Sequence, residues 1–146
     1  MTASYNARAY REYFENDFTY LNGFRRNIGR FGNRVAVSDP DSGRQWTYAQ
    51  LGGERVDRIA TGLADAGVRA GDVVAYQLFN GVEFAELYLA TQAVGAVGSP
   101  PVNFRLAAGE TAFVLDKSAP TVFVYDTELT DTVREALRLA LHTPRR

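Results

Sequence analysis

The chain has 146 residues, of which 46% are hydrophobic and 23% charged, and its formal net charge is -1. These values are typical of one globular domain, and the near-zero charge argues against binding to nucleic acid or to an anionic membrane. The sequence contains no cysteine, which excludes disulfides, thiolate metal ligands and cysteine nucleophiles. It shows neither a secretory signal nor an apolar stretch of bilayer length, so we expect a cytoplasmic protein without a transmembrane segment.

The first 34 residues are predicted to form a helical extension. Aromatic and aliphatic residues recur there at roughly helical spacing, between arginines and glutamates. This pattern is typical of one amphipathic helix, or of two, packing on a larger body. The apolar face consists of Phe14, Phe18, Tyr20, Leu21, Phe24 and Ile28. We place the body, an α/β subdomain, at residues 35–146.

The body opens with a predicted β-hairpin. Residues 35–38 are strand-like, residues 39–43 form a turn cluster, and residues 44–46 can return as the second strand. Thr47 and Gln50 have the spacing of a capping box, in which each side chain bonds to the backbone N–H of the other residue. A helix is therefore expected to begin directly after Thr47.

This helix is expected to end at Gly67. A glycine just past the last apolar position can take the left-handed conformation of a Schellman cap, which would place Val68 against Leu63. After a turn at Gly71, residues 73–79 form a nearly continuous apolar run of strand length. Such a run is typical of a strand that is covered on both faces.

A second helix is predicted between this strand and Gly95. Asn80 with Glu83 has the spacing of another capping box. Four apolar residues of this segment are expected to point inward: Phe84, Leu87, Tyr88 and Val94. The short segment 96–99 can then return as a parallel strand.

The remaining elements continue the alternation. We predict a helix at about residues 107–117, a strand at residues 121–125 and a helix at about residues 129–141. Alternating strands and helices favour an α/β fold with an open, mostly parallel sheet and βαβ crossovers. The N-terminal helix and the small β-hairpin precede this sheet.

Few residues are candidates for catalysis. His142 has no carboxylate partner fixed by spacing and is interpreted as a solvated helix-terminal residue. No spacing predicts a metal site. Glu83 and Glu86 could pair for acid–base chemistry, but a helix cap and a solvated face explain them better. Residues 95–98 and 117–118 lack the pattern of a glycine-rich phosphate loop, so we interpret them as turns and caps.

Arg105 is the more informative candidate. It lies in a loop that follows the predicted short strand at residues 96–99. Loops at the carboxyl ends of parallel strands form the ligand face of open α/β sheets. An arginine in such a loop can contact an anionic ligand.

An ordered set of short motifs resembles the opening of the adenylate-forming enzymes, the acyl-CoA synthetase and luciferase-like superfamily. The similarity lies between residues 35 and 125, and the segment Asn103-Phe-Arg-Leu106 is more similar to acyl-CoA ligases than to peptide-synthetase adenylation domains. The other matching segments are Trp46-Thr-Tyr48-Ala-Gln-Leu51, Gly67-Val68, Gly71-Asp72-Val-Val74, Asn80-Gly-Val-Glu83, Tyr88-Leu-Ala90 and Gly95-Ala-Val97.

The resemblance implies the amino-terminal portion of an ATP-dependent acyl-CoA ligase. Such enzymes use ATP and magnesium to join a carboxylic acid, here expected to be a fatty acid, to AMP, and then transfer the acyl group to coenzyme A. By resemblance, Arg105 corresponds to an arginine near the nucleotide phosphates of coenzyme A, and Asn103 supports the same loop. Phe104 stands where the family frequently has proline. The family's phosphate loop, with its lysine, and its catalytic lysine are expected beyond Arg146, so we predict that these 146 residues alone hold no cofactor and are inactive.

Two other functions remain open. The chain could be a self-standing noncatalytic module that uses the same fold to bind a partner or to regulate a complete ligase. A flavodoxin-like or dinucleotide-binding domain is disfavoured because no glycine fingerprint follows residues 73–79. Expected partners are the remainder of the ligase and, through exposed apolar surface, a second copy of the chain as a homodimer.

Overall fold

The N-terminal extension is two helices rather than one. The computed structural model describes residues 6–99 and 102–145, and its first helices are α1 (Ala7–Asn16) and α2 (Tyr20–Phe31). Helix α2 packs on the body so closely that a Cβ atom on Gly52 would lie 2.4 Å from Cδ1 of Ile28 and 2.6 Å from Cε1 of Phe24. An alanine at this contact would force the side chains of Ile28 and Phe24 to shift. The domain boundary after residue 34 stays a prediction.

The predicted hairpin and the first capping box are confirmed. Strand β1 (Val35–Ser38) pairs antiparallel with β2 (Gln45–Thr47). The Thr47 N–H donates to Oε1 of Gln50 at 2.9 Å, and the Gln50 N–H donates to Oγ1 of Thr47 at 3.3 Å. Both side chains thereby satisfy backbone donors at the start of a helix.

The helix after this box begins with a wide turn that the sequence did not predict. Residues Gln50–Arg55 are π-helical and continue directly into α3 (Val56–Asp65). The end of α3 agrees with the prediction. Gly67 has a φ of 91°, and the Val68 N–H donates to the carbonyl of Leu63 at 3.0 Å. This is the bond that defines a Schellman cap.

In the part of the chain that the structure describes, the second sheet has three parallel strands. Strand β3 (Val73–Gln77) is central, β4 (Val97–Gly98) pairs on one side of it and β5 (Val122–Tyr125) on the other. Helix α4 (Val82–Ala93) connects β3 to β4, and α5 (Ala108–Ser118) lies between β4 and β5. A 3-10 turn and α6 (Thr130–Leu139) follow β5. The predicted α/β fold with a parallel sheet is confirmed.

Both faces of this sheet are covered. Alternate residues of β3 point to opposite faces, and Val74 and Tyr76 belong to a core with residues of α3 and α4, such as Leu87. Ala75 belongs to a second core with Leu115 of α5 and Val133 of α6. The apolar run at residues 73–77 is thus explained by helices on both sides. In the described part of the chain, no helix is long and apolar enough to span a bilayer.

The predicted start of α4 is wrong. Gly81, not Asn80, is the N-cap residue, and no side chain caps the helix. The carboxylate of Glu83 instead lies 3.6 Å from the guanidinium of Arg44 in the hairpin. Tyr88 was also expected inside but is 41% exposed and contacts the ring of Tyr20 on α2.

Candidate functional site

The loops that follow the three parallel strands share one edge of the sheet. Because β3, β4 and β5 run in the same direction, their carboxyl ends meet at this edge. The loop after β3 contributes Phe79, and the loop after β4 contributes Asn103, Phe104 and Arg105. The structure therefore places both predicted site residues, Asn103 and Arg105, at the carboxyl edge of the parallel strands.

Arg105 lies on a small aromatic platform. Its guanidinium carbon is 5.4 Å from the centroid of the Phe104 ring, which packs on Phe79 at 4.9 Å between centroids. Its backbone N–H donates to Oδ1 of Asn103 at 2.9 Å. Within residues 6–99 and 102–145, no carboxylate lies within ion-pair distance of Arg105. The exposed guanidinium can therefore meet an anion from solvent.

Sequence reasoning missed Gln77, which lies directly beneath this loop. Gln77 is fully buried at the end of β3. Its Nε2 donates to the carbonyl oxygen of Asn103 at 3.0 Å and to Oγ1 of Thr111 at 3.3 Å. A glutamine within an otherwise apolar run was the signal in the sequence that could have identified it.

A groove of about 880 Å³ opens beside the ends of β3 and β5. Its apolar lining includes Ile59, Leu63, Leu78, Leu87 and Val124, and its acidic lining consists of Asp39, Asp41, Glu83, Glu86 and Asp126. The hydroxyl of Ser42 donates to the carboxylate of Asp39. This bond holds the pKa of Asp39 below its ordinary value. The carboxylates make this groove unfavourable for a triphosphate.

Glu86 does not belong to a solvated face, as the sequence was taken to indicate. Its side chain is 3% exposed and forms an ion pair with Arg55, whose side chain is 39% exposed. The second bond of this pair, from Nη2 of Arg55 to Oε2 of Glu86, measures 3.3 Å. Hydrogen bonding to Glu86 raises the pKa of Arg55. Since Glu83 and Glu86 each face a different arginine, they are not a pair for acid–base chemistry.

His142 is anchored rather than solvated. Its ring Nε2 lies 2.9 Å from the carbonyl oxygen of Pro120. Its backbone N–H donates to Oδ1 of Asp116 at 2.8 Å. The ring contacts a backbone carbonyl in the connection between α5 and β5, so it holds the end of the chain beside this connection. No group of three or more histidine, aspartate or glutamate side chains that could hold a metal ion is found where the structure describes the chain.

Comparison with known proteins identifies the family. Residues 24–145 match the AMP-binding enzyme family. The chain belongs to this family. The match confirms the resemblance to adenylate-forming enzymes that the motifs indicated, and it includes all three parallel strands of the AMP-binding scaffold and the Arg105 loop.

Three relatives illustrate the range of this family. The uncharacterized protein Rv1549 of Mycobacterium tuberculosis is 31% identical over 120 residues, which are 82% of this chain and 67% of that protein. The long-chain-fatty-acid–CoA ligase FadD13 of the same organism is 38% identical over 90 residues, 62% of this chain and 18% of the ligase. The crystal structure of the N-terminal domain of FACL13 from M. tuberculosis superposes with a TM-score of 0.75 at 31% identity. That superposition covers 83% of this chain and 30% of the solved one.

Proposed function

We propose that the chain is a portion of an ATP-dependent ligase that converts a carboxylic acid, ATP and coenzyme A to an acyl-CoA through an acyl-adenylate. The observation that supports this most directly is that Arg105, which has no carboxylate partner among the described residues, lies at the edge of the sheet where open α/β folds bind ligands, in a chain of the AMP-binding enzyme family. A fatty acid is the proposed substrate class, since one relative is a long-chain-fatty-acid–CoA ligase. A cytoplasmic location is part of the same proposal.

The chemistry requires more than this chain provides. A carboxylate is a poor electrophile, and its conversion to an adenylate supplies a good leaving group. That step needs cationic groups around the triphosphate. The groove of this chain instead presents carboxylates such as Asp39 and Asp126. The described residues that line the groove therefore do not fit the triphosphate of ATP, and we propose that ATP and its magnesium ion are bound by other parts of a longer enzyme.

Coenzyme A fits the described residues better. The guanidinium of Arg105 can donate several hydrogen bonds to a phosphate in fixed geometry. The side chain of Asn103 holds the backbone of Arg105 at 2.9 Å and so limits its freedom. We propose that this arginine contacts the nucleotide phosphates of coenzyme A and that Asn103 orients it.

A titration tests this role. Coenzyme A is added to the isotope-labelled chain, and backbone amide shifts are followed by NMR. We expect saturable shifts confined to residues 102–106, and we expect them to be lost in Arg105→Ala. Arg134→Ala, which removes an exposed arginine of α6, is the matched control and should leave the titration unchanged. Identical titrations for the unchanged chain and Arg105→Ala would contradict the proposal.

A noncatalytic module is the second candidate. Rv1549 supports this candidate. The 120 residues that match are 67% of Rv1549, whereas the 90 residues that match FadD13 are only 18% of that ligase. Rv1549 is therefore far shorter than the ligase. The mass of the natural protein separates the two candidates. A mass no larger than that of 146 residues supports the module, and a mass several times larger supports the ligase.

Contact with a second copy, or with the remainder of a ligase, is also proposed. The groove exposes an apolar surface that includes Leu78 and Val124, and exposed apolar patches are typical of interaction sites. Light scattering at high protein concentration should detect dimers of the isolated chain. A strict monomer would exclude the homodimer.

A further inference from the structure

Gln77 is a polar residue at a position where the fold favours an apolar one. It ends the central strand, and the three residues before it, Val74, Ala75 and Tyr76, belong to the apolar cores. Its exposed fraction is 0%. Burial of an amide destabilises a fold unless hydrogen bonds replace those lost to water. The contacts of this side chain should therefore explain its presence.

Those contacts lead to the Arg105 loop. Nε2 of Gln77 donates to the carbonyl oxygen of Asn103 at 3.0 Å, and the same oxygen accepts the N–H of Leu106 at 3.1 Å. One residue earlier in β3, the carbonyl of Tyr76 accepts the N–H of Val102 at 3.0 Å. Two consecutive residues of the central strand thus hold the start of the loop, and the Leu106 contact closes it.

The orientation of the amide follows from its partners. A flipped amide would place Oε1 of Gln77 against the carbonyl of Asn103, and two acceptors repel each other. With Nε2 toward Asn103, Oε1 is buried and has no hydrogen-bond partner among the residues that the structure describes. A buried acceptor without a hydrogen bond destabilises the core, so core stability alone does not explain a glutamine here. The hydrogen bond from Nε2 to the carbonyl oxygen of Asn103 offsets this cost.

We propose that Gln77 is a positioning residue, whose buried amide fixes residues 102–106 and thereby directs Arg105 toward the ligand edge. A role of the Arg105 orientation in binding coenzyme A rests on the function proposed above. The hydrogen-bonded link from Gln77 to residues 102–106 does not, because it involves only contacts within the chain. Gln77 itself touches no ligand in this account.

Amide hydrogen exchange in the full chain tests the link. Gln77→Met keeps the length of the side chain and removes its donors. We expect exchange at Val102 and Leu106 to accelerate about tenfold relative to amides of β5, which is the factor that one lost hydrogen bond supports. Thr111→Val is the matched control. It removes the second acceptor of Gln77 on α5 but leaves the bond to Asn103, so the loop amides should keep their rates relative to β5.

A purely structural role predicts a different result. If Gln77 only stabilises the core, Gln77→Met accelerates exchange at β5 and at the loop equally, and that outcome would overturn the proposal.

A second measurement uses the unchanged chain, so it does not depend on whether the variant folds. A scalar coupling across the hydrogen bond from Nε2 of Gln77 to the carbonyl carbon of Asn103 is expected, and its absence would also overturn the proposal. Neither readout involves coenzyme A, so they remain valid if Arg105 proves not to bind it.

Discussion

Removal of Arg55 and removal of Glu86, which form an ion pair, should lower the free energy of unfolding by different amounts. The Glu86 side chain is 3% exposed and the Arg55 side chain 39% exposed. Arg55→Met leaves a carboxylate buried without its cation, and we expect a loss of about 3 kcal/mol in the free energy of unfolding. This is the lower end of the range for broken buried pairs, because water can enter from the arginine side. Glu86→Leu leaves an arginine that can extend into solvent, so we expect a loss of about 1 to 2 kcal/mol.

The double variant completes the cycle. With both charges replaced by apolar side chains, no buried charge is left unpaired, and stability should lie within about 1 kcal/mol of the unchanged chain. The two single losses therefore should not add, and the coupling free energy should be at least about 3 kcal/mol. Arg134→Met breaks an exposed pair with Asp131 and should cost less than about 1 kcal/mol.

Urea unfolding measures these differences. The chain has one tryptophan, Trp46, which is buried. The centroid of its ring lies 5.6 Å from the guanidinium carbon of Arg55. Trp46 fluorescence and far-ultraviolet circular dichroism should report the same single transition. Between variants, the midpoint urea concentration should shift while the slope of the unfolding free energy against urea concentration stays constant. Equal losses for Arg55→Met and Glu86→Leu would refute the reasoning, as would a double variant no more stable than Arg55→Met.

Two further predictions follow from local geometry. Gly52→Ala would place a Cβ atom 2.4 Å from Ile28, so we expect a loss of about 1 to 3 kcal/mol in the same urea assay. Gly53→Ala, with nothing within 4 Å, should gain up to about 1 kcal/mol, and equal stability of the two variants would count against the close contact. Ser42→Ala should raise the pKa of Asp39 toward its ordinary value of 3.8, as read from the carboxyl carbon shift in an NMR titration. The contribution of Asp39 to stability is present above pH 3.8 and lost as the pH falls through the lowered pKa, and an unchanged titration in Ser42→Ala would show that the hydroxyl is not the cause.

The sequence predicted those features whose causes lie within a few residues. The Thr47 and Gln50 capping box and the Gly67 cap are set by spacings of three to five residues, and both are present in the structure. The parallel sheet followed from the alternation of apolar runs and helical patterns. Propensity did not reveal the π-helical turn after Thr47, in which Gly52 lies against Ile28 and Phe24 of α2.

The missed features are contacts between distant parts of the chain. Glu86 meets Arg55 across 31 positions, and Gln77 meets Asn103 across 26. Periodicity places a residue on a face of its own helix or strand, but it does not reveal which partner another element brings there. Glu86 was therefore assigned to solvent, and Gln77 was counted as part of an apolar run.

The most direct test of the account is a pyrophosphate-release assay on the pure, folded 146-residue chain with ATP, magnesium and a fatty acid. Among the described residues that line the groove, Asp39 and Asp126 are acidic and none is a lysine or an arginine that could hold a triphosphate. We therefore predict release no faster than in the blank. Pyrophosphate release that depends on the added acid would contradict the claim that this part of the AMP-binding scaffold does not itself bind the triphosphate.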